Sequence, residues 1–155
     1  MADYEIVLKD VEPQRVASLR QIKPTYGHVA EMFGEIMPFL GASGVQFAGP
    51  PLALYHDEEY KESDVDIEVA VPIVGETPEH EHIRTRELPG GTMAAAVHRG
   101  PFEGVHGAYE ALMKWIEANG YEIAGPSREV YLTDPDEVAD PSQNVTEVQI
   151  PVTRG

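Results

Sequence analysis

The chain has 155 residues, of which 27 are acidic and 11 are basic, so its formal net charge is −16 with neutral histidines. That charge excludes nucleic acid as a direct partner, because phosphate contacts require clustered lysine and arginine. Apolar residues make up 42% of the chain, which excludes wholesale disorder, and the length suits one domain over residues 1–155. The chain has no cysteine, no signal peptide and no apolar run of membrane length, so we expect a cytoplasmic protein without a membrane partner.

The predicted elements follow the same order twice along the chain. The first set consists of extended segments at 4–8 and 15–21, an amphipathic helix over about 25–40, and strands at about 45–56 and 64–73. We expect Pro38 to kink or shorten the last turn of that helix. The second set consists of extended segments at 83–87 and 92–99, a helix from Pro101 to Asn119, and strands at 121–133 and 145–153.

An internal repeat with an offset of 76 residues supports this division. Residues 45–50 align with 121–126, and Tyr55 aligns with Tyr131. Because each part has the order strand, helix, strand, strand, the sequence predicts an α+β fold class. We therefore divide the chain into two halves, 1–76 and 77–155.

Alternation along the later strands predicts which side chains share a face, since neighbouring strand residues point to opposite sides. One face would be covered by the helices, and the other would carry Tyr55, Glu68, Glu129, Tyr131, Glu147 and Gln149. Tyrosines among carboxylates suit an organic cation, because aromatic faces hold flat groups and a partly desolvated carboxylate requires a positive partner. A solvated outer face would also alternate polar residues. Glu129 occupies the position of Ala53 in the first half, which favours a specialised site in the second half.

Three segments within the repeated halves carry a family resemblance. They are Tyr-Glu-Ile-Val-Leu-Lys at 4–9, Arg-Glu-Val-Tyr at 128–131 and Thr-Glu-Val-Gln-Ile-Pro-Val at 146–152. Over essentially its whole length the chain resembles the GyrI-like family, the effector-binding domains of many MerR-type and AraC-type bacterial transcription regulators. The resemblance implies β-α-β-β repeats related by a pseudo-twofold axis, which form one curved antiparallel sheet with two helices on one face and a ligand cleft.

The resemblance also implies a function, because several members bind lipophilic aromatic cations against a buried glutamate. Carried onto this chain, it implies that Glu129 and Glu147 contact the ligand. The other ligand-binding residues would be Tyr131, Tyr109, Phe102, Tyr55, Gln149 and Glu68. We predict a sensor domain for hydrophobic, cationic aromatic molecules, without cofactor or metal. It would regulate transcription through a DNA-binding domain outside this chain, in cis or in trans, or act as a stand-alone binder.

The sequence is also compatible with two other functions. Glu129 and Glu147 could serve as base and acid in a hydrolase that opens strained, cyclopropane-type or activated natural products. Alternatively, the acidic surface could occupy a basic groove, as the resemblance to a gyrase inhibitor implies.

Overall fold

The computed structural model describes residues 4–57, 63–100, 104–133 and 144–154. These ranges contain ten strands, whose pairings within each unit defined below are antiparallel, and two α-helices, so the predicted α+β class is confirmed. The helices are α1 (Val29–Ser43) and α2 (His106–Ala118). The strands are β1 (Val7–Val11), β2 (Gln14–Lys23), β3 (Gln46–Phe47), β4 (Leu52–Tyr55), β5 (Val65–Val74), β6 (Ile83–Leu88), β7 (Gly91–Arg99), β8 (Tyr121–Ile123), β9 (Ser127–Tyr131) and β10 (Val145–Arg154). Neither α-helix is long and apolar enough to cross a membrane.

The chain divides into two compact units. The first unit is Glu12–Gly90, and the second unit combines Met1–Val11 with Gly91–Gly155. These bounds differ from the halves in the sequence because β1 pairs with β7, whereas β6 pairs with β2. Each unit therefore takes one outer strand from the other half of the sequence.

In the first unit the strand order is β4-β5-β2-β6, and the short β3 pairs with the end of β5. Helix α1 buries Met32, Ile36 and Leu40 against this sheet. Pro38 does not shorten α1, which continues to Ser43, and these buried residues on both sides of the proline hold the helix on the sheet. Gly44 ends α1 with a φ of 72°, a left-handed conformation that favours glycine.

In the second unit the strand order is β1-β7-β10-β9, and β8 pairs with the end of β10. Helix α2 buries Ala108, Leu112 and Ile116, which repeats the spacing of the buried residues in α1. The sheet residues packed beneath α2 are Ala94, Ala96, Val148, Ile150 and Val152. The helix face of β10 thus consists of its even-numbered residues, and its odd-numbered residues lie on the opposite face.

Candidate small-molecule-binding site

The strand register assigns the predicted site residues of the second unit to two faces. Glu129 lies opposite Val148, whose side chain is in the core beneath α2, so Glu129 is on the helix face. Tyr131 is two residues further along β9 and shares that face. Glu147 and Gln149 are odd-numbered residues of β10 and lie on the other face. The prediction that all these side chains share one face is therefore wrong.

The first unit shows the same division. Tyr55 lies opposite Ile67, packs against the core beneath α1 and contacts the Tyr26 ring at a centroid distance of 5.5 Å. Glu68 is adjacent to Ile67 and therefore points to the opposite face. Leu54 lies opposite Glu68 and is buried as well. Because β4 is buried on both faces, hydrophobicity alone does not identify its helix face.

Glu129 is the centre of a polar cluster on the helix face of the second unit. The hydroxyl of Tyr109, on α2, donates a 2.7 Å hydrogen bond to Oε2 of Glu129. The hydroxyl of Tyr131 donates a second, at 3.3 Å, to Oε1. Glu129 is only 9% exposed, and burial raises its pKa above the ordinary value, whereas both hydroxyls and nearby His98 oppose that shift. The cluster therefore holds a carboxylate in a poorly solvated place.

Two residues beside this cluster were not predicted from the sequence. His98, at the end of β7, is buried, and its Nδ1 lies 2.8 Å from the hydroxyl of Tyr4. His98 is therefore an interior residue of the second unit. Alternation along β7 could have predicted this position, because His98 is on the same face of the strand as Ala94 and Ala96, which pack beneath α2.

The three predicted acids differ in what neutralises them. Glu68 is 2% exposed and accepts two hydrogen bonds from the guanidinium of Arg86 and one from His56, all at 2.8 Å. Although burial acts in the opposite direction, these contacts lower the pKa of Glu68 to about 2. Glu68 is therefore already fully paired.

Glu147 also has a cationic partner. The Lys9 ammonium lies 3.2 Å from both of its carboxylate oxygens, and the Gln149 amide donates to it as well. By contrast, no lysine or arginine within the described ranges forms an ion pair with Glu129, whose hydrogen-bond donors are neutral phenols. Of the three acids, Glu129 is the one without a strong cationic partner.

The first unit contains an apolar counterpart of the Glu129 cluster. Ala53 lies opposite Val69 in the same register that places Glu129 opposite Val148. On the helices, Phe33 follows buried Met32 as Tyr109 follows buried Ala108. The same packing is therefore built without the carboxylate of Glu129 and the hydroxyl of Tyr109, so the fold does not require these two groups. Phe102, the remaining predicted aromatic, lies outside the described residues.

Comparison with solved structures gives matches over nearly the whole chain. The C-terminal domain of EcmrR is 28% identical with a TM-score of 0.92, covering 98% of this chain and 99% of that one. In an EcmrR–DNA complex the same match spans 58% of the EcmrR chain. SAV2435 bound to tetraphenylphosphonium is 12% identical with a TM-score of 0.62, covering 98% and 94% of the two chains. A hydrolase from Listeria innocua is 14% identical with a TM-score of 0.66, covering 96% and 92%.

Comparison with curated protein sequences gives no significant match. The model of the GyrI-like small molecule binding domain matches residues 4–153. This range includes both units and the Glu129 cluster, and it agrees with the resemblance seen in the sequence. The chain belongs to the GyrI-like small molecule binding domain family.

Proposed function

We propose that this chain is an effector-binding domain that takes a hydrophobic, cationic aromatic molecule at the Glu129 cluster. The observation that carries the proposal is the state of Glu129: a nearly buried carboxylate whose donors are two tyrosine hydroxyls. A buried carboxylate is costly unless a positive charge neutralises it. A cationic ligand supplies that charge, and the rings of Tyr109 and Tyr131 offer it aromatic surface.

The same reasoning argues against Glu68 and Glu147 as the carboxylate that binds the cation. Glu68 already holds Arg86 and His56, and Glu147 already holds Lys9. A ligand would have to displace these partners, which in the case of Glu68 means breaking three hydrogen bonds to a buried carboxylate. Of these three acids, Glu129 is the one that would gain a cation without losing one.

The relatives support this proposal. SAV2435 was solved with tetraphenylphosphonium, a lipophilic aromatic cation, and EcmrR was solved in a complex with DNA. The chain described here spans about three fifths of EcmrR in that complex. Ligand binding would therefore act on transcription through a DNA-binding domain outside the matched region, and such a regulator would work in the cytoplasm.

The experiment compares tetraphenylphosphonium with triphenylphosphine oxide, an uncharged aromatic molecule, by titration calorimetry. We expect the cation to bind more tightly and Glu129→Gln to weaken it about 10- to 100-fold, because glutamine keeps the shape but loses the charge. The matched control is Glu147→Gln, which should leave the affinity unchanged. Equal binding of both molecules, or an unchanged affinity in Glu129→Gln, would refute the proposal.

The paired-glutamate hydrolase receives no support from the geometry. Glu147 lies opposite Val130 and Glu129 lies opposite Val148, so the two carboxylates project from adjacent strands to opposite faces. A base and an acid that act on one bond must reach the same substrate. Glu129 alone remains as a candidate acid, and hydrolysis would need a second group.

A further inference from the structure

A buried threonine lies beside the Glu129 cluster. Thr146, in β10, is directly opposite His98 on one side and Tyr131 on the other, so the three side chains form a row on the helix face. Thr146 is 0% exposed, and in the part of the chain that the structure describes its Oγ1 has no hydrogen-bond partner. Leaving a buried hydroxyl unpaired is destabilising, and such groups are rare in folded proteins. The hydroxyl therefore needs an explanation.

The first unit shows that the fold does not need this hydroxyl. Ile67 occupies the equivalent place, directly opposite Gln21 on one side and Tyr55 on the other. Ile67 is fully buried and belongs to the hydrophobic core beneath α1. A branched apolar side chain thus satisfies the packing at this position, and the threonine in the second unit adds only a polar group.

Thr146 is close to Glu129. Thr146 pairs with Tyr131, and Glu129 is the next residue on that face of β9, so the two are diagonal neighbours. Diagonal neighbours on one face of an antiparallel pair have Cα atoms about 7–8 Å apart and Cβ atoms somewhat closer. A small polar group of a ligand that contacts Glu129 can therefore reach the Thr146 hydroxyl.

We propose that Thr146 is a second polar contact of the Glu129 cluster, and that the ligand is an aromatic compound with a protonated amine. One N–H donates to the Glu129 carboxylate and another to Oγ1 of Thr146. A quaternary ammonium or a phosphonium has no N–H and leaves the hydroxyl unpaired. This inference rests on the proposed cation site and specifies the chemical class of its ligand.

The test uses two cations with the same aromatic group, 4-phenylbenzylammonium and (4-phenylbenzyl)trimethylammonium, titrated into the full chain by calorimetry. We expect the primary ammonium to bind at least tenfold more tightly, because it can donate hydrogen bonds to both Glu129 and Thr146 whereas the quaternary cation can donate none. In Thr146→Val, which keeps the shape of the side chain, the preference should fall about tenfold, because the hydrogen bond to Thr146 is lost while the one to Glu129 remains. In Thr146→Ser, which keeps the hydroxyl, it should persist.

Thermal unfolding of the unliganded protein is measured in parallel, because Thr146→Val removes a buried unpaired hydroxyl and should not lower the melting temperature. Equal affinities for both cations, or a preference that is unchanged in Thr146→Val, would mean that the hydroxyl does not contact the ligand, and would overturn the inference. Titration with tetraphenylphosphonium distinguishes a failure of the amine assignment from a failure of the cation site. If it binds while neither benzyl cation does, only the amine assignment fails; if none of the three binds, the cation site fails with it.

Discussion

The hydroxyl of Tyr109 donates a 2.7 Å hydrogen bond to Glu129 and thereby joins helix α2 to strand β9 through the proposed ligand-binding carboxylate. The bond has an electrostatic role as well as a structural one. Burial favours the neutral acid and raises the pKa of Glu129, whereas the donated hydrogen bond favours the carboxylate. Because a cation gains from the ionised form, its affinity should fall as the pH drops below the raised pKa.

The first prediction concerns Tyr109→Phe. Removing the hydroxyl takes away one of the groups that stabilise the carboxylate, so the pKa of Glu129 should rise further. The pH at which half of the affinity for tetraphenylphosphonium is lost should then move upward, and the free energy of unfolding should fall by about 1 kcal/mol. Calorimetric titrations over a pH series, together with urea unfolding, measure both effects.

The matched control for this prediction is Tyr131→Phe. Its hydroxyl lies 3.3 Å from Glu129, so its removal should move the midpoint in the same direction by a smaller amount. A midpoint that stays in place in Tyr109→Phe, or moves more in Tyr131→Phe, would contradict the assigned roles.

The α+β class, both helices and the family could be predicted because they rest on periodicity and on a pattern spread over the whole chain. The face of the sheet on which Glu129 lies could not be predicted. Leu52, Ala53 and Leu54 are all buried, and a strand buried on both faces carries no alternation. The predicted strand at 45–56 is also interrupted, since β3 ends at Phe47 and β4 begins at Leu52.

The difference between Ala53 and Glu129 nevertheless identified the carboxylate that lacks a strong cationic partner. This comparison needs only the alignment of the two halves and does not require knowing which face of the strand each side chain is on. The ion pairs of the other two acids were hidden from the sequence. Lys9 and Arg86 lie on β1 and β6, the strands that each unit takes from the other half. Both ion pairs depend on strands that are far apart in the sequence and adjacent in the sheet. The periodicity of a single segment contains no information about such long-range pairing.

The second prediction concerns acid stability and Glu68. Its pKa is about 2 in the folded protein against an ordinary value of 4.5, so its stabilising effect is complete above about pH 4.5 and is lost as the pH falls towards 2. This loss amounts to about 3 kcal/mol. In urea unfolding between pH 6 and 2.5, the difference in unfolding free energy between the wild type and Glu68→Gln should therefore shrink.

The control for Glu68 is Glu147→Gln. Lys9, the partner of Glu147, is 42% exposed, so this pair should contribute less than about 1 kcal/mol at any pH. If Glu68→Gln lost stability in parallel with the wild type down to pH 2.5, the pairing of the Glu68 carboxylate with Arg86 and His56 would not be the cause of the acid sensitivity.

The third prediction tests the equivalence of the two clusters by transplanting one into the other. Ala53→Glu places a carboxylate in the apolar core of the first unit, where it should cost about 3 kcal/mol or more. Adding Phe33→Tyr supplies the hydroxyl that Tyr109 provides in the second unit, and the double variant should recover about 1 kcal/mol. Urea unfolding of both single variants and the double variant forms a double-mutant cycle. A favourable coupling energy is expected because Phe33 and Ala53 occupy the places of Tyr109 and Glu129; additive effects would show that the tyrosine and glutamate positions are not equivalent in the two units.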